Sequence, residues 1–184
     1  DGITLLTTLA HEGYPGHLYF FNYVKQQGWH PINFFVSNIG FEEGWAEYAA
    51  RLSLDSWGLD QDMMEVIFLD QEFSYLLMGL SDIGINYGGW TGDDVYDLWE
   101  TYFYLDSAED VRDVYDACMA EPGTILSYSI GYYQICDLEE EVKEMLGESF
   151  DHNEFVTELL SVGGASFDIT RSYIMEWANE KLHG

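Results

Sequence analysis

Apolar residues recur along this chain at the three- and four-residue spacing of a helix almost throughout, and the strict alternation of a strand is scarce. Behind Asp60, an apolar helical run carries Met63, Ile67, Phe73 and Leu77, and the glycines at 79, 84, 88, 89 and 92 predict a loop-rich connection. Thr91 ahead of Asp93 and Asp94 reads as an N-cap with acids in the first turn, where they oppose the positive end of the helix dipole. Val95, Leu98, Trp99, Tyr102 and Phe103 then share one face. Ser107 to Asp110 opens a further helix bearing Val111, Val114, Tyr115 and Cys118. That helix must stop before Pro122-Gly123, because the residue preceding a proline is pushed out of the helical region. A long helix is predicted from about Ser127 to Leu146, ended by Gly147, and Asp151 with Glu154 has the spacing of a capping box leading into Phe155, Leu159 and Leu160. No repeat, low-complexity tract or linker interrupts the pattern. The reading is an all-α protein, a compact multi-helix assembly forming a single helical domain over residues 1–184.

Composition removes several classes of function. Thirty-four acids against 6 Lys+Arg give a formal charge of −28, which leaves no basic stripe to displace counterions from nucleic acid and repels an anionic membrane surface. Disorder is excluded despite that charge, since 47% hydrophobic and 17% aromatic residues supply ample apolar surface. The aromatics, among them Tyr19, Phe20, Phe21, Phe34 and Phe35, are expected in a core first and in a substrate cleft second. No apolar run is long enough to span a bilayer. Cys118 and Cys136 are too few for a disulfide scaffold and read as free thiols, or as one bridge if their helices adjoin.

Chemistry concentrates in His11-Glu12-Gly13-Tyr14-Pro15-Gly16-His17 and in Glu42-Glu43-Gly44-Trp45-Ala46-Glu47-Tyr48. Imidazole nitrogens and a carboxylate oxygen are what a catalytic zinc takes from a protein, with the fourth position left to water. In the common H-E-x-x-H arrangement both histidines share a helix face because four residues advance nearly a full turn. Here the second histidine is six residues on, about 120° away on a regular helix, and position i+4 is Pro15. A shared metal therefore requires Pro15-Gly16 to distort the helix. A capped helix end with satisfied polar side chains is the competing reading. Glu43 and Glu47 share a face at i,i+4, so Glu47 can orient a ligand histidine, while Glu42 points elsewhere and is expected to be solvated. His30, His152 and His183 read as surface residues. The run from Asp60 to Glu65 lacks the oxygen donors and glycine of a calcium loop.

The segments His11–His17, Glu43–Tyr48, Asp82–Thr91 (DIGINYGGWT), Pro122–Gly131 (PGTILSYSIG) and Leu146–Asp151 (LGESFD) resemble a bacterial family known as domain of unknown function 885, grouped with zinc peptidases. The likeness extends over nearly the whole chain. It is also similar to the thimet-oligopeptidase type of gluzincin, with Tyr14 and Pro15 as two extra residues inside the H-E-x-G-H pattern. The resemblance implies a zinc-dependent peptidase in which His11, His17 and Glu43 hold Zn2+ and Glu12 is the general base. It also implies that Tyr128, and behind it Tyr132, aim at the oxyanion, and that the chain is the C-terminal, catalytic half of a longer protein. Peptide substrate and the N-terminal half are the partners it suggests, and apolar surface exposed at the boundary with that half would favour a homodimer. Asn86 stands where relatives often carry histidine, Phe155-Val156-Thr157 replaces their F-H-D, and Ala117 to Glu121 lacks an arginine, so substrate contacts do not transfer. A non-catalytic helical module binding a peptide or partner, with an absent or structural metal, is the alternative.

Overall fold

A computed structural model describes residues 2–28, 36, 38–58 and 60–184. All regular structure among them is helical, as the apolar spacing predicts, and no strand occurs among the described residues. His30, Phe34 and Phe35 lie outside the described residues. Contacts divide the chain into two units, residues 1–57 with 130–184, and residues 58–129.

The first unit contains α1 (Gly2–Glu12), α2 (His17–Gln26), α3 (Ile39–Ser53), most of α7 (Thr124–Leu146), α8 (His152–Val162) and α9 (Phe167–His183). Its core is Phe20, Phe41, Trp45, Ile135, Val142, Phe155, Leu159, Leu160 and Ile174, all nearly or fully inaccessible. Burying a side chain of this size contributes roughly 1.5–3 kcal/mol, so these nine are the main driving force of the unit. Phe20 is core as expected, whereas Phe21 is 47% exposed and lies beside His17 instead. Asn38 starts α3 by accepting from the Phe41 backbone N–H, and its amide donates to the Ala165 carbonyl at 2.8 Å, tying the start of α3 to the loop before α9.

Two glycines let α3 and α7 cross at backbone contact. A Cβ on Gly44 would lie 2.3 Å from the Gly131 carbonyl carbon, and one on Gly131 would lie 2.0 Å from the Gly40 oxygen. No other residue fits at either position. The predicted start of α7 near Ser127 is corrected to Thr124, immediately after the Pro122-Gly123 turn. The helix ends where Gly147 takes a φ of 52°. Asp151 caps α8, accepting from the Glu154 N–H at 3.0 Å.

The second unit holds α4 (Gln61–Asn86), α5 (Gly92–Trp99) and α6 (Arg112–Ala120) around Ile85, Val95, Val111 and Cys118. Asp60 caps α4 through the Met63 N–H, and Thr91 and Asp94 form a full capping box on α5. Two expectations are corrected here. Gly79 and Gly84 belong to α4 and Gly92 opens α5, so the connection spans only 87–91; a Cβ on Gly84 would fall 2.1 Å from the Trp90 ring, so glycine is required by packing. Tyr102 and Phe103 lie beyond the end of α5, where they pack on Phe73. Neither Cys118 nor Cys136 forms a disulfide. Along α4, Val66, Leu69, Phe73, Leu76, Leu80 and Ile83 form an exposed apolar stripe.

Candidate metal centre

Helix α1 ends at Glu12 and α2 begins at His17, so Gly13 to Gly16 form a turn, and the two histidines sit on separate helices. This resolves the six-residue spacing: the helix is not bent at Pro15-Gly16 but broken there. The Tyr14–Pro15 peptide bond is cis. Gly16 returns the chain against α1, its N–H donating to the Ala10 carbonyl at 2.9 Å, and a Cβ there would stand 1.8 Å from the His11 carbonyl oxygen. Only glycine permits that approach.

The turn sets the His11 and His17 rings edge to face, with centroids 4.7 Å apart. Glu43, in the second turn of α3, brings Oε2 to 3.3 Å from Nε2 of His11 and 3.3 Å from Nε2 of His17. The donor atoms of the three residues lie within 4.8 Å of one another. Glu43 Oε2 is buried. Donors held about 2.0–2.1 Å from a tetrahedral zinc stand about 3.3–3.4 Å apart, and the two distances to Glu43 match that separation. The donor set, two imidazoles and one carboxylate, is also zinc's.

Glu47, one helical turn beyond Glu43, places Oε1 3.0 Å from Nδ1 of His11. His11 is thus gripped on both ring edges. Burial alone would push its imidazole down, but the contacts with Glu43 and Glu47 and their negative charge prevail and hold it at about 9. Burial would push Glu43 up; its contacts with His11 and His17 hold it at about 2 instead.

Glu12 closes α1 with its side chain exposed, next in sequence to the buried His11. Glu42 is half-buried, where a solvated side chain was expected. Tyr132 lies in the first unit, packed against its core with its ring 5.4 Å from Tyr133. Tyr128 lies in the second unit, its ring 5.2 Å from Tyr75. His183 is exposed as expected. His152 is not a plain surface residue, because its Nδ1 meets Glu139 Oε1 at 2.9 Å. Sequence reasoning did not find that pair. Nor did it find Asp82, whose buried carboxylate accepts from the Gly123 N–H at 2.8 Å and from the Asn86 amide at 2.8 Å. The i,i+4 spacing of Asp82 and Asn86 was the available signal.

Residues 2–174 match the family described as "Bacterial protein of unknown function (DUF885)", and the chain belongs to it. No curated protein matches the chain. Among solved structures, a "putative lipoprotein" from Colwellia psychrerythraea is similar, with a TM-score of 0.82 and 24% identity over 95% of this chain and 30% of that one. A "putative lipoprotein of unknown function" from Shewanella oneidensis gives a TM-score of 0.78 and 22% identity over 94% of this chain and 31% of that one. At these identities the likeness is one of fold. The chain spans about a third of the length of these neighbours. Among the described residues, no helix is long and apolar enough to cross a membrane.

Proposed function

We propose that this member of the DUF885 family carries the metal-binding half of a zinc-dependent peptidase. The observation that carries the proposal is the convergence of His11 Nε2 and His17 Nε2 on one oxygen of Glu43, each at 3.3 Å. Three protein donors rather than four match a catalytic zinc, whose fourth position is open, and this favours catalysis over the structural-metal alternative. Zinc held there would act as a Lewis acid on the scissile carbonyl and lower the pKa of water toward about 7.

The chain's own residues supply the remainder. Glu12 is exposed at the end of α1, beside a ligand, and is the base that takes the proton of the attacking water and returns it to the leaving amine. Glu47 holds the His11 ring so that Nε2 faces the centre. Tyr128 and Tyr132 are assigned by resemblance as neutral donors to the oxyanion, a bond that strengthens as the carbonyl gains charge. Peptide is the proposed substrate.

The test is metal analysis of the full-length protein followed by hydrolysis of a mixed peptide library, with and without chelator. Stoichiometric zinc, and cleavage abolished by chelator and restored by zinc, are expected. Zinc without cleavage would leave the helical binding module; neither zinc nor cleavage would overturn the reading.

A further inference from the structure

In the same unit as His11, His17 and Glu43, a second polar cluster is centred on the buried pair Tyr48 and Glu139. Tyr48, next to Glu47, donates its hydroxyl to Glu139 Oε2 on α7 at 2.8 Å. Glu139 Oε1 meets His152 Nδ1 at 2.9 Å and Lys143 Nζ at 3.2 Å, and the Tyr48 and His152 rings stack with centroids 6.3 Å apart. Tyr48 is 3% exposed and Glu139 9%. A buried carboxylate is costly unless every oxygen is engaged, and here both are. Burial would raise Glu139, but its contacts with Tyr48, His152 and Lys143 lower it, and burial beside Glu139 raises the Tyr48 phenol. Phenol donor and carboxylate acceptor are therefore fixed in those roles at ordinary pH.

The crossing of α3 and α7 gives this bond its purpose. Gly44 and Gly131 let the two backbones touch, yet two glycines have no side chains to interlock. Such a contact sets distance but not rotation about the helix axis, which the side chains of α3 must supply: Phe41 and Trp45 by apolar packing, Tyr48 by a directional bond to α7. Glu43 and Glu47, which face the histidines, both ride on α3. A rotation of about 10° moves a group about 6 Å from the axis by about 1 Å, beyond the tolerance of about 0.5 Å within which a preorganised site works.

We infer that Tyr48 and Glu139 are positioning residues for the metal centre: their hydrogen bond fixes the rotation of α3 and so aims Glu43 and Glu47 at the two histidines. His152 and Lys143 hold Glu139 in place from α8 and α7. The inference rests on the metal-site reading above.

The experiment is to titrate metal-free full-length protein, wild type and Tyr48→Phe, with Zn2+ by calorimetry and with Co2+ by visible absorption, whose band intensity reports coordination geometry. Tyr48→Phe keeps the ring and removes only the hydroxyl. It is expected to weaken zinc about tenfold, the low end for residues that support ligands from behind, and to alter the cobalt spectrum. Glu139→Gln should do the same, and the double variant should lose little more than either single one. Phe155→Leu, a core change on α8, is the control: matched for loss of thermal stability, it should leave affinity and spectrum unchanged. Wild-type affinity and spectrum in Tyr48→Phe, or an equal change in Phe155→Leu, would overturn the positioning role alone. Failure of the wild-type protein to bind either metal would overturn it together with the metal-site reading.

Discussion

The carboxylate of Glu47 stands 3.0 Å from Nδ1 of His11, on the ring edge opposite the one that faces Glu43. Metal-bound histidines commonly have such a partner, which fixes the tautomer and raises the basicity of the other nitrogen. Glu47→Gln keeps the shape and removes the charge. It should weaken zinc by about 10–100-fold, read by competition with a chelator of known affinity; unchanged affinity would remove Glu47 from the site.

His17→Ala should abolish most stoichiometric zinc, because one of three donors is gone and no other histidine is grouped with the remaining pair among the described residues. Elemental analysis of the purified variant decides it. Full zinc content would mean that the second histidine is not a ligand.

Glu12→Gln separates chemistry from binding. The amide is nearly isosteric but cannot accept the water's proton, so zinc content should persist while peptide hydrolysis falls by about 10²–10⁴-fold. Turnover at the wild-type rate would remove Glu12 as the base.

The metal-free protein should show two pH limits of stability at this site. His11 is held at about 9 against an ordinary 6.5, so its contribution is complete below 6.5 and is lost as pH rises through about 9. Glu43 is held at about 2 against 4.5, so its contribution is present above 4.5 and is lost as pH falls through about 2. Thermal melts of the metal-free chain from pH 7 to 10 should therefore slope downward, and His11→Gln should flatten that slope. Parallel slopes in the two proteins would count against the raised imidazole.

Gly131→Ala tests the helix crossing. The new methyl would arrive 2.0 Å from the Gly40 oxygen, a backbone atom that cannot swing aside. A loss of at least about 1–3 kcal/mol is expected, measured by urea unfolding. An unaffected midpoint would mean that α3 and α7 separate at little cost.

How much of this was legible beforehand depends on sequence distance. Local signals read well: the caps at Asp60, Thr91 and Asp151 act within a turn of their partners, and all three helices start where those residues stand. Gly79 and Gly84 misled because glycine is ambiguous alone; Gly84 is glycine on account of the Trp90 ring, a packing fact invisible to periodicity. At the proposed metal site the donor types were readable in HEGYPGH, and Pro15 announced a disturbance. That the disturbance is a full break, with His17 opening a new helix, depends on where Gly16 lands against α1. Tyr48 and Glu139 are 91 residues apart and share no pattern, so their bond follows only from the packing of α3 on α7.

The contact between Gly16 and the His11 carbonyl divides the labour within the turn. The distance between the two imidazoles is set by main chain touching main chain, so it does not depend on which side chains decorate the turn. Tyr14, 74% exposed at the apex, can be replaced without moving the histidines. Gly16 has no such freedom. A substitution at one position of this short turn can therefore alter what reaches the imidazoles, while two residues away no side chain is tolerated at all.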